Sequence, residues 1–288
     1  MLTALPSLPV WPEHPLMTYH ALILRNPARA EATVQEFDQL GITSWCAQLI
    51  DTIWPTDRTE LVRMSEQLLA GKYQWLVVTS VNTVRVVDQL IGEQRLPASL
   101  RIASVGEKTS LAISELWGRE VDFQPTLQSA AGMRDEWQPE TDAHLCYPHG
   151  DLASSTLADA LALLPVSVDE FEAYRNVAAG SGGVPVDSSV PTQGLNILQA
   201  EAISEKLELM DLVVFSAPSV AKRFAELVAG ALPQKLRTIA IGQPTAKAMA
   251  RASIPVHAIA TQPTPRGLAD AAKDLLLLNG TTEAADSK

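Results

Sequence analysis

Cysteine is scarce in this chain: Cys46 and Cys146 are the only two in 288 residues, and they show no CxxC spacing. That excludes a disulfide framework and a thiolate metal site. Cys146 lies in the apolar run His144–Tyr147 and reads as a buried core thiol. No stretch of about twenty apolar residues occurs, so no helix is expected to span a bilayer. The first basic residue is Arg25, and prolines at 6, 9, 12 and 15 interrupt any apolar leader, which argues against a signal peptide. Cytoplasmic residence is the default expectation. Positive charge is also short, with Lys+Arg 22 against Asp+Glu 33 and a formal net charge of -11. Such a surface disfavours nucleic acid and anionic membranes as partners. Catalytic signatures are missing as well. There is no GxGxxG, no GxxxxGK phosphate loop and no GxSxG elbow. The five histidines, at 14, 20, 144, 149 and 257, lack metal spacing. Neither a metal nor a cofactor is expected.

What is present is a regular beat of short apolar strands and helices. Hydrophobic residues make up 47% and charged residues 19%, enough for a packed core, and the length suits two domains. Strands are expected at Ala21–Leu24, Ser44–Ile50, Trp75–Val78, Ile102–Val105, Leu145–Tyr147, Val168–Ala173, Leu212–Phe215 and Thr238–Ile241. The helical patterns fall at Arg29–Leu40, Thr59–Ala70, Thr83–Leu90, Thr109–Leu116, Ser155–Leu164, Ile197–Glu208, Val220–Val228, Thr245–Arg251 and Gly267–Leu276. The alternation specifies an α/β fold with parallel sheets. Ala178–Asn196, rich in Gly, Ser and Pro, reads as a linker or long loop. Residues 1–17 and 279–288 read as flexible ends.

The chain also repeats itself. Leu76–Asn82 is matched by Leu212–Ser219, and Leu100–Thr109 by Leu236–Thr245 at an offset of 136 residues. Gln124-Pro125-Thr126 recurs as Gln262-Pro263-Thr264 at an offset of 138. Two related domains facing each other across a ligand cleft are the expectation. Each repeated turn runs from a strand through small polar residues into a helix. Thr79, Ser80, Asn82, Thr109, Thr126, Ser216, Ser219, Thr245 and Thr264 therefore place hydroxyls and amides at helix starts, and Gly106 and Gly242 permit close backbone approach. Any one of them alone reads as a plain helix cap. Nine in paired positions point to an anion-binding cleft.

The ordered set of turns resembles the uroporphyrinogen-III synthase family. Leu76–Val84 is similar to that family's first strand and Thr-Ser turn, and Val105–Thr109 to its Val-Gly-x-x-Thr turn. Tyr147–Leu152, with Leu157 and Leu161, resembles its Pro-x-Gly-Asn-Leu stretch, and Glu172–Val177 its Tyr-x-Thr-Val return strand. Phe215–Ser219, Ala240–Thr245 and Pro263-Thr264-Pro265 complete the series, so the likeness spans about residues 20–276. The chain departs from the family at His149, where many members carry Arg, at Ser154, where a basic residue is common, and at Ser216 and Ala217.

The resemblance implies two flavodoxin-like α/β domains joined by a two-stranded linker, with residues 18–50 and 178–288 in one and 54–173 in the other. It implies dehydrating cyclisation of hydroxymethylbilane to uroporphyrinogen III, with inversion of the terminal pyrrole ring. The substrate is a linear tetrapyrrole carrying eight carboxylates, handed over by hydroxymethylbilane synthase, and the enzyme a monomer. In that reading Tyr174 helps the hydroxyl leave or else packs as a linker tyrosine. Arg25 and Lys222 add positive potential or are ordinary surface charges, and His149 joins the substrate-binding set. The competing reading is a non-catalytic bilobal module that closes on an anionic small molecule.

Overall fold

The computed structural model describes residues 19–153, 155–187, 193–228 and 232–283. The chain divides into two compact units, one of residues 1–49 and 190–288, the other of residues 50–189. The first unit opens with β1 (Tyr19–Leu24), α1 (Pro27–Asp38) and β2 (Ile42–Ala47). Asn26 caps α1 by accepting from the Ala28 amide, and Pro27 fills the first helical position, where no amide needs a partner. The second unit holds β3 (Ile50–Ile53), α2 (Thr59–Leu69), β4 (Trp75–Val78), α3 (Val81–Ile91) and β5 (Arg101–Ser104). It continues through α4 (Glu107–Trp117), α5 (Ala130–Glu136), β6 (His144–Gly150), α6 (Ser155–Leu161) and β7 (Ser167–Ala178). The first unit then resumes with β8 (Asn196–Ile197), α7 (Ile203–Lys206), β9 (Leu212–Phe215) and α8 (Pro218–Leu227). It closes with β10 (Arg237–Ala240), α9 (Gln243–Arg251), β11 (Ala258–Ile259) and α10 (Pro265–Glu283).

The sheet of the first unit runs β11-β10-β9-β1-β2-β8, parallel throughout. Apart from the two-residue β8, this is the flavodoxin-like strand order. The sheet of the second unit runs β3-β7-β6-β4-β5, with β3 antiparallel to β7 and the rest parallel. A parallel bridge from Ala103 to Phe123 extends it beyond β5. Both faces of this sheet are covered, which is why β4 is apolar at every position. Leu76 and Val78 pack with Met64, Leu68, Val84 and Val87 of α2 and α3. Trp75 and Val77 pack with Met133, Leu157 and Leu161 of α5 and α6.

The internal repeat is real and goes further than the sequence match. Trp75 pairs with Arg101 on one side and Leu145 on the other, as Leu212 pairs with Arg237 and Ala21. Ala103 bridges to Phe123 as Ile239 pairs with Ala258, and Leu145 pairs with Val168 as Ala21 does with Ser44. Four strands and the Phe123 bridge of one unit therefore match five strands of the other register for register. The order along the chain differs: β6 and β7 follow their neighbours, whereas their counterparts β1 and β2 come first. The two units are circular permutations of one plan.

One matched pair is out of register. Ser129 and Thr264 each accept a hydrogen bond from the amide three residues on, Gly132 and Gly267, both at 3.1 Å. Their own amides bond the carbonyls two residues back, Leu127 and Gln262, at 2.6 and 2.8 Å. A Cβ on Gly132 or Gly267 would run into those same carbonyls at 1.9 and 2.3 Å. The counterpart of Thr264 is thus Ser129, and the two Gln-Pro-Thr tripeptides are not equivalent.

Several expected elements change. The single strand Ser44–Ile50 is two strands, β2 and β3, in different sheets. Ile197 does not begin a helix: Asn196 and Ile197 pair with Trp45 and Cys46, and only Ile203–Lys206 is α-helical. Pairing with the open edge of β2 overrides the local helical pattern there. The short elements α5 and β11 carry too few residues to show a period. Helix α10 passes Leu276 and runs to Glu283, into the expected tail, while residues 1–17 and 284–288 lie outside the described residues. The stretch after Ala178 folds back on β3 before the described residues stop at 187. There the Trp54 amide bonds the Val184 carbonyl at 2.8 Å and the Val186 amide bonds Thr52 at 2.9 Å. Gly183, at φ 101°, makes this turn possible, and a Cβ there would sit 2.6 Å from Ile53 Cδ1.

A polar cluster ties the amino ends of β6 and β7. The Asp169 carboxylate accepts from Lys72 Nζ at 2.7 Å, from the Tyr73 hydroxyl at 2.8 Å, and lies 3.1 Å from His144 Nε2. Burial alone would raise the Asp169 pKa, but the bonds from Lys72, His144 and Tyr73 outweigh it and hold the group below the ordinary carboxylate range. A depressed carboxylate contributes stability that is present above its unfolded pKa of about 3.9 and is lost as pH falls through the folded value. Asp169→Asn should therefore unfold at lower temperature than wild type at pH 7. The gap should begin to narrow in melts recorded below about pH 4 and go on narrowing as the pH falls toward the folded value.

Candidate functional site

In open parallel sheets ligands bind beyond the carboxyl ends of the strands, at the point where the connections depart in opposite directions. That point lies between β4 and β6 in the second unit and between β9 and β1 in the first. Of the residues expected from the sequence, Thr79 and Ser80 in the second unit and Arg25 and Ser216 in the first follow the strands that flank these two positions, and His149 lies at the end of one of them, β6. Asn82 and Ser219 lie in the first turns of α3 and α8, and the others follow β5 and β10 or lie farther along the chain.

In the second unit, Thr79 and Ser80 follow β4. Ser80 caps α3 by accepting from the Thr83 amide at 3.2 Å, and its hydroxyl also lies 2.9 Å from that of Tyr174. Tyr174 is 9% exposed, and burial raises its phenol above the ordinary value. It stays protonated and keeps a proton to donate. Thr79 bonds Tyr147, whose phenol is pushed up to about 12 by burial. Asn82 reaches across to donate to Thr52 at 3.3 Å. His149, at the end of β6, has Nδ1 3.0 Å from the Gly150 carbonyl oxygen and Nε2 3.3 Å from Glu170. Ser154 lies outside the described residues.

In the first unit, Arg25 follows β1 and Ser216 follows β9. The Ser216 hydroxyl donates to the Leu24 carbonyl at 2.6 Å, which locks the two turns together. Ala217 occupies the cap position of α8 and offers no side-chain bond. Ser219 sits half-buried in the first turn of α8, and Lys222 is exposed farther along it. Arg25 is half-buried, burial lowers its pKa, and among the described residues it makes no ion pair. A guanidinium keeps its charge and its forked donors, the chemistry that pairs with a carboxylate. By the register match Leu145 corresponds to Ala21, so four residues along each strand His149 corresponds to Arg25. The two basic candidates occupy one position of the shared plan.

The second pair of turns is less alike. Gly106 caps α4, but the Gln128 side chain plugs that helix end: its Oε1 accepts from the Glu107 amide at 3.2 Å and would sit 3.1 Å from a Cβ on Gly106. Gly242 caps α9, and that end is open. A pocket of about 640 Å³ lies over Gly242, Gln243, Pro244 and Thr245 and is walled by Ile259 and Thr261. Thr109 and Thr245 are 5% and 2% exposed, so their hydroxyls serve the helix starts more than solvent. The Thr126 side chain is exposed, but its amide is already bonded to the Glu136 carboxylate at 2.7 Å. Glu136 lies below the ordinary carboxylate range through its bonds to the Leu127 and Thr126 amides. Thr264 caps α10. Both cysteine thiols are buried and pushed up by burial, Cys46 to about 11. Among the described residues no group of three His, Cys, Asp or Glu is placed to hold a metal, and no helix is long and apolar enough to cross a membrane. Sequence reasoning passed over Tyr147, Gln128 and the role of Gly150. Only Gly150 and Tyr147 lay in a recognised motif, and no local signal marks Gln128.

A family model described as uroporphyrinogen-III synthase HemD matches residues 31–270. No curated protein sequence matches the chain. A mutant uroporphyrinogen III synthase from the extremely thermophilic bacterium Thermus thermophilus is similar in structure, with a TM-score of 0.61 at 16% identity, covering 94% of this chain and 100% of that one. The uroporphyrinogen-III synthetase of Helicobacter pylori 26695 gives a TM-score of 0.51 at 16% identity, over 90% and 100% of the two chains. At such identity these likenesses speak for the fold.

The caps are directly testable by chemical denaturation. Ser80→Ala should destabilise the protein by about 1 kcal/mol by stripping the α3 cap, and Ala217→Ser should stabilise it by a similar amount by adding one to α8.

Proposed function

The chain belongs to the uroporphyrinogen-III synthase family and is a uroporphyrinogen-III synthase acting on a tetrapyrrole, and from that premise we propose how its residues carry the reaction. The helix-start turns of each unit hold substrate carboxylates. Arg25 and the open α9 end at Gly242 serve in the first unit, and Thr79, Ser80, Asn82 and His149 in the second. Ser216, Ser219 and Thr264 support the former set and Gly106, Thr109 and Thr126 the latter. Thr245 shapes the α9 pocket from beneath. Hydroxyls, amides and helix dipoles supply the donors that a surface of net charge -11 otherwise lacks.

The reaction is a lyase step, a dehydrating ring closure. The Tyr174 phenol hydrogen-bonds the departing hydroxyl of hydroxymethylbilane and passes it a proton, so that it leaves as water and creates an azafulvene-type cation; the proton released when the reclosed ring rearomatises restores the phenol. The substituted carbon of the terminal ring attacks this cation. The spiro intermediate so formed fragments and recloses with that ring inverted. The linear substrate also cyclises unaided to the uninverted isomer, so folding it into one geometry is the protein's main task. The short life of the free substrate favours direct hand-over from hydroxymethylbilane synthase in the cytoplasm. The scattered, single exposed apolar side chains fit a monomer.

The observation that carries the Tyr174 assignment is its buried phenol, 2.9 Å from the Ser80 hydroxyl at the carboxyl end of β4. Tyr174→Phe should lower formation of the type III isomer about tenfold or more, measured on freshly generated hydroxymethylbilane with the oxidised products resolved by isomer. Unchanged turnover would remove Tyr174 from the chemistry. Type I product alone, at the protein-free rate, would remove the synthase reading itself.

A further inference from the structure

Strand β7 breaks its own alternation just before Tyr174. Along β6 and β7 the pairs run in step from His144 with Ser167 to His149 with Glu172, but Gly150 pairs with Tyr174, leaving Ala173 as an extra residue. Phe171, Ala173 and Tyr174 consequently all join the core cluster that contains Leu76 and Val84. In an unbroken strand, position 174 would face the other way, with Val168. The bulge turns the Tyr174 ring over the end of β6. There it lies against Gly150 so closely that a Cβ on that residue would be 2.5 Å from Cε2, 2.6 Å from Cζ and 2.9 Å from the hydroxyl oxygen. Gly150 is not in the left-handed region of backbone space, so what this position requires is space for the ring and not an unusual φ.

We propose that Gly150 is a positioning residue for the reaction: its bare Cα, with the bulge at Ala173, sets the Tyr174 ring so that the hydroxyl meets Ser80 at the start of α3. The inference rests on the role of Tyr174 proposed above. Any side chain at 150 displaces the far end of a tyrosine ring, not the backbone. The change is therefore carried to the hydroxyl, which moves off Ser80, and the buried phenol moves toward water. The device links three elements at the switch point, since β6 supplies the space, β7 the phenol and α3 the cap that orients it.

The test compares the full-length protein with Gly150→Ala, Tyr174→Phe and the double variant. Gly150→Ala is expected to lower kcat for the type III isomer about tenfold, with KM changed less than about twofold, because the loss is one of alignment. The double variant should be no worse than Tyr174→Phe alone. Additive losses, or full activity of Gly150→Ala, would overturn the inference. A second readout does not depend on activity. The Tyr174 phenol titration is isolated as the ultraviolet difference between each protein and its Tyr174→Phe counterpart. In Gly150→Ala it should move to lower pH, because relief of burial, the largest cause of its raised position beside the charge of Asp151, outweighs the smaller opposite effect of losing the Ser80 hydrogen bond. An unmoved titration overturns the inference even if activity falls. If Tyr174→Phe is fully active while the titration moves as expected, the ring is positioned by Gly150 but the catalytic reading of Tyr174 fails. If Gly150→Ala does not fold, Gly150→Ala/Tyr174→Ala should recover the melting transition. Failure of that recovery also counts against the ring contact.

Discussion

A parallel strand can be rejoined only by a crossover, and here the crossover is usually a helix. The strand-to-helix turns of this protein follow from that constraint. Strands β4, β5, β9 and β10 each end at a helix start, and so present backbone amides and a positive dipole end on one edge of the sheet, with a capping side chain only at Ser80 after β4. Nothing else in the fold needs to be specialised for anions. The few side chains that differ between equivalent turns then decide what each one does. Ser80 caps where Ala217 does not, and Gln128 plugs the end of α4 where the end of α9 stands open.

This arrangement reconciles an acidic chain with the acidic substrate proposed for it. Net charge describes the solvated surface, on which most carboxylates sit. The turns offer neutral donors, and the two basic residues among them, Arg25 and His149, hold one structural position. The departure from the family at His149 can be read in these terms. Its ring is held between the Gly150 carbonyl and Glu170, while the half-buried Arg25 meets no carboxylate among the described residues. The stronger cation is the one left unneutralised.

Much of this was legible in the sequence. The apolar runs Trp75–Val78 and Leu212–Phe215 are strands to the residue, because four buried positions in a row between turn signals leave little alternative. The repeat was visible at the turns, where small residues and glycine are required by the helix start. What escaped has a common cause: it depends on partners distant in sequence. Ile197 is a strand because Cys46 lies beside it. Ser129, not Thr126, matches Thr264 because Leu127 and Gln262 offer the same carbonyl to a glycine in the next turn. The bulge at Ala173 leaves no local mark at all, since its meaning lies in Gly150 across the strand pair. Site residues at cap positions were readable from local chemistry, whereas Gln128 and Gly150 act only through contacts made in the folded chain.

The permuted order of the two units also sets a timetable for synthesis. The second unit is one continuous stretch and has all its strands once β7 has emerged. Strand β1 has its central partner far downstream: the amide of His20 bonds the Asp211 carboxylate across 191 residues. At the usual pace of translation that separation amounts to about 10–40 s. Throughout it, β1 and β2 wait on the nascent chain with both outer edges unpaired, and α1 covers only the Ala21 and Ile23 face of β1. The half that is made first is thus the last to be completed, and its exposed edge is the place where a chaperone has most to shield.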